Sequence, residues 1–279
     1  MTKEHAQEFY LVVDPSLPQR EYLKDIFRCR ELFYFLAWRD ILVRYKQAFF
    51  GVAWALLRPL LNMLVFAFLF GKIANFSSDH VNYPLFVLAA MLPWQLYSSS
   101  AVDTCNSLIN NAPLVSKIYF PRMIIPASQI IVHLVDFAIT AFLLIALSLF
   151  LGVLNPWTFL CFPLFLLLAA SLCVGTGLWL SALTVKYRDF RIMIPFFVQF
   201  GMFISPVGYG TFIIPEPWRW LYFLNPMSGV IDGFRWVFFG ISYPQMPFSI
   251  GFSIAITLVI LWTGVLYFRK TEQTFADQI

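Results

Sequence analysis

Six apolar stretches, at about residues 53–74, 84–103, 124–152, 157–184, 193–213 and 248–268, constrain this 279-residue chain more than anything else in it. Each is long enough to cross a hydrocarbon layer of about 30 Å as a helix. Hydrocarbon offers no partner to a backbone N–H or C=O, so each stretch has to be helical. The expected fold is therefore an all-α integral membrane protein with six transmembrane helices. Composition agrees, with 60% hydrophobic and only 12% charged residues, about half the charge of a soluble domain. Aromatic residues make up 19%, including 32 Phe. Six spans leave little room for a separate folded domain. The opening residues, MTKEHAQEFYLVVDPSLPQ, lack the basic start and apolar run of a cleaved signal, so the first helix is expected to direct insertion.

Charge placement orients the bundle. Six spans put both termini on one side, and Lys and Arg mark the cytoplasmic side. The stretch through Lys46, the 104–123 loop, the 185–192 loop, the tail and the snorkelling Arg58 together hold 16 of the 19 basic residues, leaving Lys72, Arg219 and Arg235 opposite. Both termini are expected in the cytoplasm. Cys29, Cys105, Cys161 and Cys173 show no metal-ligand spacing and read as small apolar packing residues.

Two segments are neither spans nor ordinary loops. Residues 22–46 mix basic residues with aromatics, and Tyr34, Trp38, Ile41, Leu42 and Tyr45 recur at helical spacing, with Arg39, Asp40, Arg44 and Lys46 off that stripe. This pattern predicts an amphipathic helix in the membrane interface, a topology anchor or a guide for anionic headgroups. Residues 214–247 are crowded with Trp, Phe and Tyr yet broken by Pro and Gly. A pair of short re-entrant helices turning near Asn225-Pro226 is expected; an aromatic belt at the headgroups is the alternative.

Gly71-Lys72 lacks the rest of a nucleotide-binding loop, so any ATP has to be bound by another chain. No Asp-x-Asp cluster supports a glycosyltransferase. The 104–123 loop, with Asn110, Asn111, Pro113 and Pro121 as punctuation, predicts a short helix. Its Leu114, Ile118, Tyr119 and Phe120 are expected to be exposed, covered by a partner or by headgroups. In the next cytoplasmic loop, Lys186 to Arg191 reads by default as a simple positive-inside anchor, while Arg188-Asp189 could fix the loop, bind a partner or hold lipid phosphate. His133 and Asp136 share a helix face and suit either a proton relay or a structural hydrogen bond. Ala169, Cys173, Gly177 and Ser181, four apart, predict a close helix–helix approach, within the chain or to a second copy. Asn75-Phe76-Ser77 matches a glycosylation sequon and is assigned no function.

Taken in order, these pieces resemble the permeases of type-2 ABC exporters, in the branch that exports polysaccharides and lipid-linked glycans. The resemblance rests on WRDILVRYKQAFFGVAWALLRPLL with Arg44-Tyr45-Lys46, Gly51, Trp54 and Pro59, on the Asn110-to-Pro126 segment, on Tyr187-Arg188-Asp189, on Asn225-Pro226-Met227 and on Glu272-x-x-Phe275-Ala276-Asp277. It implies a cytoplasmic region 1–52 with an interfacial gate helix, a six-helix membrane domain 53–268, and a cytoplasmic tail 269–279. It also implies a homodimer enclosing a channel in the bacterial inner membrane, and two copies of a separate ATPase that holds ATP and Mg. On that reading this chain has no catalytic residues, metal or bound cofactor of its own. Arg39, Arg44 and Lys46 of the gate helix would attract the pyrophosphate head of a lipid-linked glycan. Tyr97, Phe200, Phe203, Tyr209, Trp218 and Trp220 would offer aromatic faces for sugar rings to stack on. A coupling helix at 110–122, with Asn110, Pro113, Leu114, Lys117, Phe120 and Arg122, would meet the ATPase beside Tyr187, Arg188 and Asp189, and 216–240 would form the re-entrant pair. The alternatives are an exporter of drugs or small lipids, capsule or teichoic acid in place of O-antigen, and a proton-coupled carrier using His133 and Asp136.

Overall fold

The computed structural model describes residues 19–46, 51–73, 81–118 and 120–275. The sequon, Tyr119 and the Ala276-Asp277 end of the last motif lie outside them. All regular structure among the described residues is helical. Two helices at the basic end, α1 (Gln19–Arg28) and α2 (Arg30–Lys46), precede α3 (Gly51–Phe66), which continues as a π-helical turn over Ala67–Ile73. Then come α4 (Tyr83–Asn110), the short α5 (Ala112–Lys117), α6 (Ile124–Phe150), the one-turn α7 (Pro156–Phe159), α8 (Phe162–Lys186) and α9 (Phe190–Ile204). The chain closes with α10 (Glu216–Tyr222), α11 (Pro226–Phe239) and α12 (Met246–Glu272).

Five of these helices are long and apolar enough to cross a membrane: 55–73, α4, α6, α8 and α12. The expected span at 193–213 takes a different form. Its helix, α9, has 15 residues and is about 22 Å long, short of the hydrocarbon thickness. Proline stops it: Pro206 forces Ser205 into extended backbone (ψ 151°), and the chain cannot continue as helix. The other boundaries are equally local. Asn155 caps α7 by accepting from Trp157 N at 3.1 Å, and Asn225 caps α11 by accepting from Met227 N at 3.0 Å, with Pro226 in the first helical position. Gly240, left-handed at φ 71°, ends α11.

Helix α4 is the axis of the bundle. In its apolar window 72% of residues are buried, against 17–39% in the other four spans, and α3, α6, α8, α9 and α11 all pack on it. The small residues of α8 turn out to serve contacts within the chain. A Cβ added at Gly177 would stand 2.9 Å from Thr104 Oγ1 of α4. A second pair, missed in the sequence, brings α8 and α12 together. A Cβ at Gly175 would lie 2.8 Å from the Leu261 backbone, and one at Gly264 2.5 Å from the Gly175 carbonyl oxygen. Such close approach replaces the hydrophobic drive that lipid cannot supply. Trp179 stacks on Tyr267 at 4.4 Å and donates to Thr263 Oγ1 at 3.1 Å across the same seam.

Many of the phenylalanines are spent on docking α11. Phe162 meets Phe234 and Phe238 edge-to-face at 5.9 and 5.8 Å, and Phe159 meets Phe238 at 5.6 Å, geometries that add to simple burial. Helix α11 is therefore almost wholly buried, while α10 presents Trp218, Trp220 and Leu221 outward. At the basic end a second apolar cluster joins Tyr22, Leu36, Val115, Phe120, Val185, Phe268 and Phe275.

The α8–α12 seam yields a direct test. Gly175→Val should cost about 1–3 kcal/mol through overpacking, read as an unfolding midpoint several degrees lower in detergent. Gly251→Ala, on an open face of α12 where a Cβ meets nothing within 4 Å, should leave the midpoint unchanged or slightly higher.

Candidate functional site

The site grows from how α2 is attached. Its outward face carries Tyr34, Phe35, Trp38, Leu42 and Val43, all exposed, with Tyr34 stacked on Trp38. Leu36 and Ala37 point into the protein. The expected stripe is thus partly redrawn: Tyr45 turns inward, and Phe35 and Val43 replace it outside. Two polar clasps make the attachment. In the first, Arg44 Nη2 lies 2.7 Å from Asp136 Oδ2 of α6, Arg44 Nη1 lies 3.7 Å from Asp103 Oδ2 of α4, and Tyr45 donates its hydroxyl to Asp136 Oδ1. Burial, and the Asp136 carboxylate beside it, raise the pKa of the Tyr45 phenol, so it remains the donor. His133 Nε2 lies 2.9 Å from Asp103 Oδ2, while its Nδ1 is 3.8 Å from Asp136 Oδ2. In the second clasp Arg39 Nε donates to Asp40 Oδ1 at 2.8 Å and Arg39 Nη2 to Asn111 Oδ1 at 3.0 Å, and Gln129 Nε2 of α6 donates to Asp40 Oδ2 at 2.6 Å.

Two of the three candidate headgroup cations, Arg39 and Arg44, therefore already have carboxylate partners; Lys46 is exposed. The His133–Asp136 pair belongs to the same clasp. Both Asp136 oxygens are engaged by α2, which favours a fastening over a relay as its local role.

Beside the first clasp opens a cavity of about 760 Å³. It is a trough with α4 as floor and α3 and α9, both packed on α4, as walls. Its basic end holds Arg44, Asp103, His133 and Asp136. Farther along, Arg58 and Asn62 of α3, Gln95, Ser98 and Ser99 of α4 and Gln199 of α9 line it, among Met91, Leu92, Trp94, Val198 and Met202. Such a mixture of apolar wall and sparse polar groups suits an amphipathic ligand. The signal for it was present in the sequence: Arg58 and Asn62 are four apart, and Gln95, Ser98, Ser99, Val102 and Asp103 follow helical spacing within an apolar span.

The six candidate aromatics do not converge on this trough. Tyr97 packs against Trp94 at 5.8 Å within the core cluster. Phe200 and Phe203 are exposed on α9, and Trp218 and Trp220 on α10. The Tyr209 hydroxyl donates to the Phe203 and Ile204 carbonyls at 3.2 and 3.1 Å and accepts from Tyr222 at 3.0 Å.

The candidate coupling residues divide. Asn110, Pro113 and Lys117 are exposed, Leu114 is half-buried, and Ile118 is exposed. Phe120 is buried in the basic-end cluster rather than presented outward, because Tyr22, Phe268 and Phe275 cover that side of the loop. Arg122 is tied down too: its backbone N–H donates to Glu272 Oε1 at 2.7 Å and its Nη1 to the Glu272 carbonyl at 2.5 Å, while Tyr22 donates to Glu272 Oε2 at 2.7 Å. Tyr187, Arg188 and Asp189 are exposed, and Val185 shares the basic-end cluster with Val115 of α5.

At the opposite end lies a network the sequence did not reveal. Arg235 of α11, 2% exposed, stacks its guanidinium over Phe86 at 3.6 Å and donates to the Tyr209 and Val207 carbonyls at 2.9 and 3.0 Å. Tyr83 donates to the Gly208 carbonyl. On the same helix Asp232 accepts from Thr211 Oγ1 at 2.8 Å, Tyr243 at 2.6 Å and Ser249 at 3.2 Å.

Comparison with known proteins places this geometry. Residues 31–239 match the family described as ABC-2 type transporter, a segment running from α2 through α11. This chain belongs to that family. Among its relatives, an O-antigen export system permease protein of Myxococcus xanthus is 26% identical over 259 residues, covering 92% of this chain and 98% of that protein. An O-antigen export system permease protein of Klebsiella pneumoniae is 27% identical over 244 residues, covering 86% and 91%. A polysialic acid transport protein of Escherichia coli is 24% identical over 254 residues, covering 84% and 91%.

The first clasp predicts its own disruption. Asp136→Ala leaves Arg44 without its nearest partner and Tyr45 without its acceptor. Amide exchange across Glu31–Lys46 should speed up by about tenfold or more, the loss of one charge-assisted contact. Arg44→Gln combined with Asp136→Asn should recover part of the protection, and unchanged exchange in Asp136→Ala would show that the clasp does not hold α2.

Proposed function

We propose that this chain is the path-forming membrane subunit of an ATP-driven exporter that moves a lipid-linked polysaccharide of O-antigen type across the bacterial inner membrane. The observation that carries the reading is the family match over most of the bundle, with relatives at more than 90% of their own length named for O-antigen and polysialic acid transport. The trough supports it: an apolar bundle has no need of a line of polar side chains unless something polar passes them. The polysialic acid relative favours capsular polysaccharide as the second reading.

On this proposal the chain crosses the membrane six times with both termini in the cytoplasm. The fifth crossing is α9 completed by the irregular 205–213 segment, and α10 with α11 form the re-entrant pair. Two copies face each other so that their troughs join into one passage. ATP and Mg are held by two copies of a separate ATPase, and no hydrolytic residue is required of this chain. α2 is the gate helix, where Arg39, Arg44 and Lys46 meet the anionic head once their clasps open. Tyr97, Phe200, Phe203, Tyr209, Trp218 and Trp220 stay as sugar-stacking candidates, with Phe200 and Phe203 on α9 and Trp218 and Trp220 on α10 the accessible ones. The 110–122 segment couples to the ATPase through its exposed Asn110, Pro113, Lys117 and Ile118, beside Tyr187, Arg188 and Asp189. Leu114, Phe120 and Arg122 fasten the segment to α1 and to the end of α12, so a push on α5 reaches α2 through Asn111 and Arg39.

Reconstitution with the ATPase tests the reading. Vesicles holding both proteins should move lipid-linked polysaccharide only with hydrolysable ATP, and transport by this chain alone would sink the proposal. Lys117→Glu with Ile118→Asp should sharply reduce co-purification of the ATPase in an otherwise folded chain. Phe120→Asp should instead destabilise the chain itself, since it buries a charge among aromatic neighbours.

A further inference from the structure

The trough contains a cation that nothing so far employs. Arg58 lies on the second turn of α3, inside the segment long enough to span the membrane, and its side chain is exposed on the trough wall. Among the described residues no carboxylate lies within 4 Å of its guanidinium. The two acids on the same cavity, Asp103 and Asp136, are engaged by His133 and Arg44. An intramembrane arginine without a partner is costly, and such residues typically mark the route of an ion or a charged substrate. On the floor of the trough, Gln95 Nε2 is a second anomaly. It is a buried amide donor with no hydrogen-bond partner, on a side chain that lines the same cavity. Asn62, one turn above Arg58, adds an amide on the same wall.

We propose that Arg58, with Gln95 on the adjoining floor, forms an anion subsite in the trough that receives the phosphate of a phosphorylated long-chain lipid. A guanidinium exposed on the wall, with the amide-bearing Asn62 and Gln95 among the residues lining the same cavity, supplies the donor types that bind phosphate oxygens well. The surrounding Met91, Leu92, Val198 and Met202 give an apolar wall for the lipid chain, which a free phosphate ion would not use. The subsite is separate from the gate-helix cations: Arg39 and Arg44 have to lose a carboxylate before they take a phosphate, whereas Arg58 has none to lose. A lipid phosphate released from the interface would therefore be drawn along α3 to Arg58. This deepens the proposed function and rests on it.

The test uses the chain in complex with its ATPase in lipid nanodiscs, with three radiolabelled probes: a polyprenyl pyrophosphate, the matching polyprenol and inorganic pyrophosphate. The unsubstituted complex should bind the polyprenyl pyrophosphate about ten- to a hundredfold more tightly than the polyprenol, the range expected for charged hydrogen bonds. Arg58→Gln should remove most of that preference, Arg58→Lys should keep most of it, and Gln95→Leu should weaken it several-fold. Equal recovery of ATPase with each variant establishes that assembly is intact. Should Arg58→Gln fail to assemble, Arg58→Lys and Gln95→Leu decide. A full preference retained in Arg58→Gln, or inorganic pyrophosphate binding as tightly as the lipid, overturns the subsite. If the unsubstituted complex moves polysaccharide while Arg58→Gln keeps its preference, only this inference fails. If the unsubstituted complex neither prefers the phosphorylated lipid nor moves polysaccharide, the functional reading fails with it.

Discussion

The guanidinium of Arg235 holds the carbonyls of Val207 and Tyr209, and the architecture of that end of the molecule depends on it. Where α9 stops before Pro206, the chain runs on through turns and bends to a short 3-10 turn at Thr211–Ile213, and the Val207, Gly208 and Tyr209 carbonyls on the way are not met by helical backbone. Hydrocarbon cannot satisfy them either. Arg235 and Tyr83 supply donors from inside the protein, and Asp232, one turn earlier on α11, collects the hydroxyls of Thr211, Tyr243 and Ser249. The aromatic packing of Phe159, Phe162 and Phe165 around α11 then acquires a purpose. It fixes the helix whose two charged side chains hold the irregular segment in place.

At the basic end the same physics serves attachment. Helix α2 has one exposed aromatic face, and its inner face joins ionic contacts to α4 and α6 with the buried Leu36 and Ala37. Partly buried ion pairs add modestly to stability because desolvation offsets their attraction. They do define register, and each can be exchanged for other charges while the apolar contacts of α2 stay in place. The contacts of Arg44 to Asp136 and of Arg39 to Asn111 can be re-paired at modest cost. Full release of α2 costs more, because it also withdraws Leu36 from the cluster formed with Phe120, Phe268 and Phe275.

Hydropathy was enough to locate α4, α6, α8 and α12, because a long apolar run has one stable solution in lipid. It overestimated the fifth stretch, since Pro206 sits inside an otherwise apolar run and its effect on backbone geometry is invisible to an average over hydrophobicity. The amphipathic reading of residues 34–45 located α2 but set Tyr45 on the wrong face. A phenol counts as apolar in such a pattern, yet here its hydroxyl had an acceptor on α6. Arg235 was counted with the outer side because it falls in the 214–247 segment; only the fold shows that it faces inward to backbone carbonyls. Arg58 and Gln95 were legible as polar residues within spans, but the sequence does not say that α3 and α4 bring them to one trough. The placement of the aromatics was the least legible of all, because stacking, core packing and lipid contact all accept the same side chains.

The brevity of α9 has a consequence for the bilayer itself. A helix of 15 residues reaches only about three-quarters of the way across hydrocarbon some 30 Å thick. Lipid beside it has to thin, or the helix has to be flanked by protein and water. Because α9 also forms one bank of the trough, the dry portion of any journey along it is shortened on that side. A hydrated polymer would thus face a narrower dielectric barrier here than beside the full-length helices α4, α6, α8 and α12.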